Sequence, residues 1–171
     1  MLSRAFTPMV LAALIGLTGC NPKPAPFTEA QKAAVGQEVL QVQRNLFAQA
    51  EKVVPCDPRW FWEGSDFVFI MPDGKVMTLD EFKKAWREFQ AQLASQKFTI
   101  QMEKVLVLGP DKAIYVWQGA DNLVMKDGSI QKQEAYAGAY VYEKRNNEWR
   151  CSMMSESGLP PVLVKAETSS K

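Results

Sequence analysis

From Thr28 onward the spacing of apolar residues changes twice, and those changes outline the elements. Val35, Val39, Val42, Leu46, Ala50 and Val53 recur at intervals of three and four, the repeat of one apolar stripe on a helix. Thr28-Glu29-Ala30-Gln31 supplies a capping box at its start, in which two side chains satisfy free N–H groups of the first turn. The pattern predicts a helix of about 25 residues, stopped by Pro55 and Pro58. Gly36 is its weak point, costing about 1 kcal/mol against alanine. Residues 66–71 read as a compact strand turned at Pro72-Asp73-Gly74. Thr78-Leu79-Asp80-Glu81 is a second capping box, and Phe82, Trp86, Phe89 and Leu93 continue the helical spacing behind it. From Phe98 the period falls to two. Residues 98–108, 113–125, 130–143 and 149–155 are four predicted strands. Gly109-Pro110-Asp111, Lys126-Asp127-Gly128 and Arg145-Asn146-Asn147 join them with hairpin chemistry.

Helices followed by a run of antiparallel strands argue an α+β fold, with the helices on one face of a single sheet. Strands this long make a strongly bent sheet, wrapped around a helix and leaving a cavity. The architecture expected is a cone of curved antiparallel sheet packed on a long N-terminal helix and a second helix.

Composition removes chemistry rather than adding it. There is no histidine, hence neither the commonest general base nor the commonest metal ligand. No metal site and no cofactor are expected. Net charge is +1 with both signs interspersed, without the cationic stripe that nucleic-acid binding requires. Met153-Met154 falls within a predicted strand and makes a poor metal motif. Asp80-Glu81 beside Lys83-Lys84 reads as a solvated helix face with paired charges.

The first residues carry an address. Arg4, the apolar run from Met9 to Leu17, and Leu17-Thr18-Gly19-Cys20 have the parts of a secretory signal peptide. The run is shorter than the about 20 residues of a transmembrane helix. A cysteine after Leu-Thr-Gly resembles a bacterial lipobox, which implies acylation of Cys20 and a bilayer as partner. Asn21, where aspartate would favour inner-membrane retention, implies an outer-membrane lipoprotein facing the periplasm. The expected organisation is a signal peptide at 1–19, the lipidated cysteine and a Pro-rich tether at 20–27, one domain at 28–163 and a polar tail at 164–171. An oxidising compartment permits a disulfide between Cys56 and Cys151, worth up to about 4.7 kcal/mol on chain entropy. Two buried free thiols are the alternative.

Gly109 to Trp117, the turn at Lys126-Asp127-Gly128, Ala139-Tyr140-Val141-Tyr142, Arg145-Asn146-Asn147-Glu148-Trp149 and Ser155-Glu156-Ser157-Gly158-Leu159-Pro160 together resemble the NTF2-like superfamily. The resemblance extends to its SnoaL-like domains and to the association domain of calcium/calmodulin-dependent kinase. It covers about residues 28–163. Association domains carry two histidines where Met153 and Ser155 stand, and arginines where Gly119 and Tyr140 stand, so a cavity that holds an acidic ligand elsewhere has lost its cations here. The alignment turns Tyr115, Trp117, Tyr136, Tyr140 and Tyr142 into the cone, with Glu134 on the same side. These rings either line a ligand pocket or simply fill the cone.

Glu134 and Asp66 are the acid–base candidates, because some NTF2-like isomerases pair a cavity carboxylate with a tyrosine. Three functions are compatible with these residues. The domain binds a small apolar or aromatic ligand or acts as a dimerising module without catalysis; or it is a small isomerase or dehydratase using Glu134 or Asp66; or it is a structural envelope lipoprotein. The resemblance also implies a homodimer through the sheet.

Overall fold

The computed structural model describes residues 26–55, 57–63 and 66–164. The signal peptide, Cys20, most of the tether, Cys56 and the tail from 165 lie outside the described residues.

Helix α1 (Glu29–Ala50) opens on the expected box: Thr28 Oγ1 accepts from the Gln31 amide at 3.2 Å, and Gln31 Oε1 accepts from the Thr28 amide at 2.8 Å. Its buried side is Val35, Val39, Gln43, Phe47 and Ala50. Val42 and Leu46 are only half-buried. The stripe therefore runs through a glutamine that apolar periodicity passes over. Gln43 is wholly enclosed; its Oε1 accepts from the Tyr142 hydroxyl at 2.6 Å, while its Nε2 has no hydrogen-bond partner among the described residues.

A one-turn helix at Pro58–Trp60 leads to strands β1 (Val68–Ile70) and β2 (Val76–Met77), then to helix α2 (Leu79–Gln92) with its own capping box from Thr78. The helical spacing extends to Leu93, yet strand β3 (Leu93–Val107) begins there directly. Leu93 is buried either way, so its apolar character does not distinguish helix from strand. Strands β4 (Lys112–Met125), β5 (Ile130–Arg145) and β6 (Glu148–Gly158) come next, and β7 (Val162–Val164) closes the order.

The strands lie as β2-β1-β6-β5-β4-β3 in one curved sheet, with β7 paired to the start of β5. The central ladders are antiparallel, but β1 runs parallel to β6, pairing Val68 with Met153 and Ile70 with Ser155. The sheet is thus the curved, mainly antiparallel one expected, with a single parallel pair at β1 and β6. The crossover through α2 and three long strands makes the parallel pairing sterically simple.

Register shifts decide which side chains face the interior of the cone. They interrupt β3 between Ile100 and Met102, β5 opposite the Gly119–Asp121 stretch of β4, and β6 opposite Val141 and Tyr142. Each bulge adds a residue to one strand, bends it and reverses the facing of everything beyond.

Tyr115, Trp117, Tyr140 and Tyr142 pack against α1 in the concave interior, each at most 2% exposed. Opposite them, on the outer face, Leu106, Ile114, Val141 and Met153 form a cross-strand row beside Met102 and Val116. Among the described residues no helix packs over that row. Cys151 is a buried free thiol, which corrects the expected disulfide with Cys56. Its sulfur lies in the core, 3.1 Å from the Met153 carbonyl, and burial pushes the thiol far above its ordinary range.

Candidate functional site: an apolar cone with two buried acids

One end of the cone is open. A cavity of about 610 Å³ lies between the end of α1, helix α2, the concave sheet and the turn at Leu159–Pro161. Its walls are rings and aliphatic groups: Phe47 from α1, Phe82, Trp86 and Phe89 from α2, Phe98 from β3, Leu123 from β4 and Met154 from β6. Stripe and alternation put these side chains inward, because only that placement buries them. Into this apolar space project the carboxylates Asp121 and Glu156 and two tyrosines, Tyr136 and Tyr140, and a third carboxylate, the exposed Asp73, also lines it.

Glu156 is held by both tyrosines. The Tyr140 hydroxyl donates to its Oε1 at 2.7 Å, and the Tyr136 hydroxyl makes a very short bond to its Oε2. Burial raises the pKa of Glu156, and the two hydrogen bonds offset only part of that. Burial, followed by the neighbouring Glu156 charge, pushes both phenols far above their ordinary range. The tyrosines are therefore hydrogen-bond donors throughout the physiological pH range.

Asp121 is 5% exposed. Gln96 Nε2 donates to its Oδ2 at 2.8 Å, whereas Oδ1, itself enclosed, has no hydrogen-bond partner among the described residues. Burial lifts its pKa to about 7, against the pull of the Gln96 bond and with the help of repulsion from Glu156. A carboxyl that titrates near neutrality, with one oxygen free, is fitted to accept and return a proton.

The bulge in β5 explains why Glu134 is not here. Tyr136 pairs with Gly119 and Gln133 with Asp121, so three steps along β5 match two along β4. Tyr136, Gly138, Tyr140 and Tyr142 face in, and below the bulge Gln133 and Gln131 take over the cavity wall. Glu134 is turned out and exposed. Asp66 stands exposed in the turn before β1, outside the cavity lining. Neither candidate reaches the site.

Of the five expected pocket rings, Tyr136 and Tyr140 line the cavity. Tyr115, Trp117 and Tyr142 fill the closed end instead. The two phenols there point away from the cavity: Tyr115 to Glu103 at 3.1 Å, Tyr142 to Gln43. Trp117 lies over Gly138, where a Cβ would stand 2.4 Å from its Nε1.

Of the acids that do reach the cavity, Asp121 is within reach of the alternation rule and Glu156 is not. Asp121 follows Tyr115, Trp117 and Gly119 on the same face of β4. Glu156 follows Met154 on β6, but the bulge opposite Tyr142 means that Met153 and Ser155, the positions compared with histidines, face outward. Among the described residues no three His, Cys, Asp or Glu side chains converge as a metal site would need.

Comparison with known proteins agrees with this architecture. The model of the SnoaL-like domain matches residues 59–161. No curated protein sequence matches the chain significantly. Among solved structures, an NTF2-like superfamily protein from Salmonella enterica serovar Typhimurium aligns with a TM-score of 0.66 at 18% identity, covering 80% of this chain and 95% of that one. The hexachlorocyclohexane dehydrochlorinase LinA-type3 of Novosphingobium barchaimii aligns with a TM-score of 0.65 at 9% identity, over 80% and 94%. A Xanthomonas campestris protein assigned as a calcium/calmodulin-dependent protein kinase II association domain gives 0.58 at 21% identity, over 74% and 89%. The chain belongs to the SnoaL-like domain family and has the NTF2-like fold.

Proposed function

We propose that the cone binds a small, mainly apolar molecule and that Asp121 transfers a proton on it, in the manner of an isomerase or an eliminating enzyme. The observation that carries this is a nearly inaccessible aspartate, titrating near 7 with one oxygen unpaired, on the wall of an apolar cavity. The Asp121 carboxylate takes a proton from a carbon beside an electron-withdrawing group. The charge that develops on the ligand is met by the proton of Glu156 in its protonated form, which burial favours, while the hydroxyls of Tyr136 and Tyr140 hold that carboxyl in place. The proton then returns to another carbon, or a leaving group departs. A positioned base of this kind is worth about 10²–10⁴ in rate. That a protein of similar fold is named a dehydrochlorinase of a small apolar ring is consistent with this reading. A filled, purely structural cone would have no such cavity.

β-Tetralone, an apolar ketone with acidic C–H bonds, serves as a probe. The domain is expected to accelerate deuterium uptake into it from heavy water, followed by NMR, and Asp121→Asn to abolish the acceleration. Uptake at the buffer rate, or equal uptake with the variant, would remove the catalytic reading.

Two further proposals concern the chain's surroundings. We propose that Cys20 is acylated, which the Leu-Thr-Gly-Cys segment supports; labelled palmitate should then enter the full chain in bacteria and not its Cys20→Ser variant. A second copy is proposed to cover the outer face of the sheet, since the row of Leu106, Ile114, Val141 and Met153 presents the same patch to its own two-fold mate. Sedimentation of residues 21–171 should show a dimer, and Val141→Lys a monomer. A monomeric parent would retire that idea.

A further inference from the structure

The charge balance of the cavity narrows the class of molecule it accepts. Among the described lining residues there is no lysine and no arginine, while Asp121 and Glu156 both project into the space. An apolar pocket needs a single polar group to orient a neutral ligand. This one holds two acids that repel each other, with Asp121 nine-tenths buried and its Oδ1 left without a partner. The geometry points to a lipophilic amine as the ligand, its ammonium seated between the carboxyl groups of Asp121 and Glu156 and its apolar body against the rings of Phe47, Phe98 and Trp86. The inference rests on the cone being the binding site proposed above.

Three physical arguments favour an organic cation over other occupants. An anion would enter a space with no cation to receive it. A divalent metal wants about six oxygen ligands, and among the described residues no three acidic, Cys or His side chains converge to begin such a set. An ammonium needs few acceptors and gains from aromatic faces, here Tyr136 and Tyr140 beside Glu156. Entry of a cation also relieves the burial of two acids that otherwise ionise only at a cost.

The step is balanced in protons. An ammonium that seats against a protonated carboxyl releases that carboxyl's proton to solvent, leaving an ion pair. The groups facing Asp121 are Gln96 on β3, Tyr136 on β5, Glu156 on β6 and Glu51 at the end of α1, which is itself 3.7 Å from Lys97. Of these carboxyls, Glu156 shares the cavity wall with Asp121, and the exposed Asp73 lines the same cavity.

The test uses tryptamine, tryptophol and indoleacetate, which share one ring and differ in the charge at its tail. Isothermal titration of the domain is expected to show tryptamine binding at least about tenfold more tightly than tryptophol, the scale of a charge-assisted contact, and indoleacetate more weakly than either. Repeating the tryptamine titration in buffers of different ionisation enthalpy should reveal net proton release. Glu156→Gln and Asp121→Asn, each checked for an intact melt, should bring tryptamine down to the affinity of tryptophol. If tryptophol matches tryptamine in the parent protein, the amine inference fails while the apolar cone survives as a binding site. If neither binds, both fail.

Discussion

Exchanging Asp121 for asparagine is expected to make the domain more stable and less active at once. The carboxyl's pKa rises from 3.8 in the unfolded chain to about 7 in the fold, chiefly through burial. At 1.36 kcal/mol per pKa unit this is worth about 4 kcal/mol. The sign follows from linkage. The folded state holds the proton more tightly, so the stability gained from protonated Asp121 is complete below the unfolded value. It is lost as pH rises towards about 7. Asparagine keeps the shape, accepts from Gln96 and never ionises. Urea unfolding at about pH 8 should therefore favour the variant by up to about 4 kcal/mol, and by little at about pH 4. A difference that does not change with pH, or a variant weaker at both ends, would show that Asp121 is not a buried acid in the native state. The same variant should lose deuterium transfer to β-tetralone by a factor of at least about a hundred. Opposite effects on stability and turnover are what a group kept for chemistry, at the expense of folding, should show.

Trp117→Ala should act only on stability. The ring is 1% exposed and has edge contacts to Phe47 at 5.1 Å, Tyr136 at 5.3 Å and Phe98 at 6.0 Å. It thus joins α1, β3 and β5 directly behind the cavity wall that Phe47, Phe98 and Tyr136 form. Truncating a large buried aromatic costs about 3–5 kcal/mol, through lost burial and the void left behind. Because Trp117 carries no titrating group, the loss should be the same at acidic and alkaline pH, unlike that of Asp121. A Tm lowered by about 10 °C or more is the expected readout. A loss under about 1 kcal/mol would mean that the surroundings collapse freely around the site, and hence that Trp117 borders ligand space rather than core.

The two predictions mark the line between the pocket and the packing. By residue pattern alone, Tyr115, Trp117, Tyr136, Tyr140 and Tyr142 are equivalent, since all are aromatic residues on inward positions. In the structure the closed end of the cone absorbs three of them and the open end keeps two. Distance along the cone axis separates the groups, and alternation carries no information about that distance.

Much of the architecture is legible directly in the chain. Both capping boxes, both helices, the four long strands and the hairpin turns at Lys126-Asp127-Gly128 and Arg145-Asn146-Asn147 arise from interactions between residues close in the chain, and local chemistry is sufficient to specify those. The α+β order and the NTF2-like resemblance rest on them in turn. Which acids form the site was decided otherwise. Glu134 and Asp121 sit on neighbouring strands, and one bulge in β5 sends the first to solvent while the second stays inside. A second bulge in β6 does the same for Ser155 and Glu156. A bulge is set by how two strands settle against the rest of the sheet and its helix. It leaves the residue pattern intact but reverses which face each later side chain occupies, so alternation along β4 is enough to turn Asp121 inward, whereas only the assembled cone could exclude Glu134 and admit Glu156.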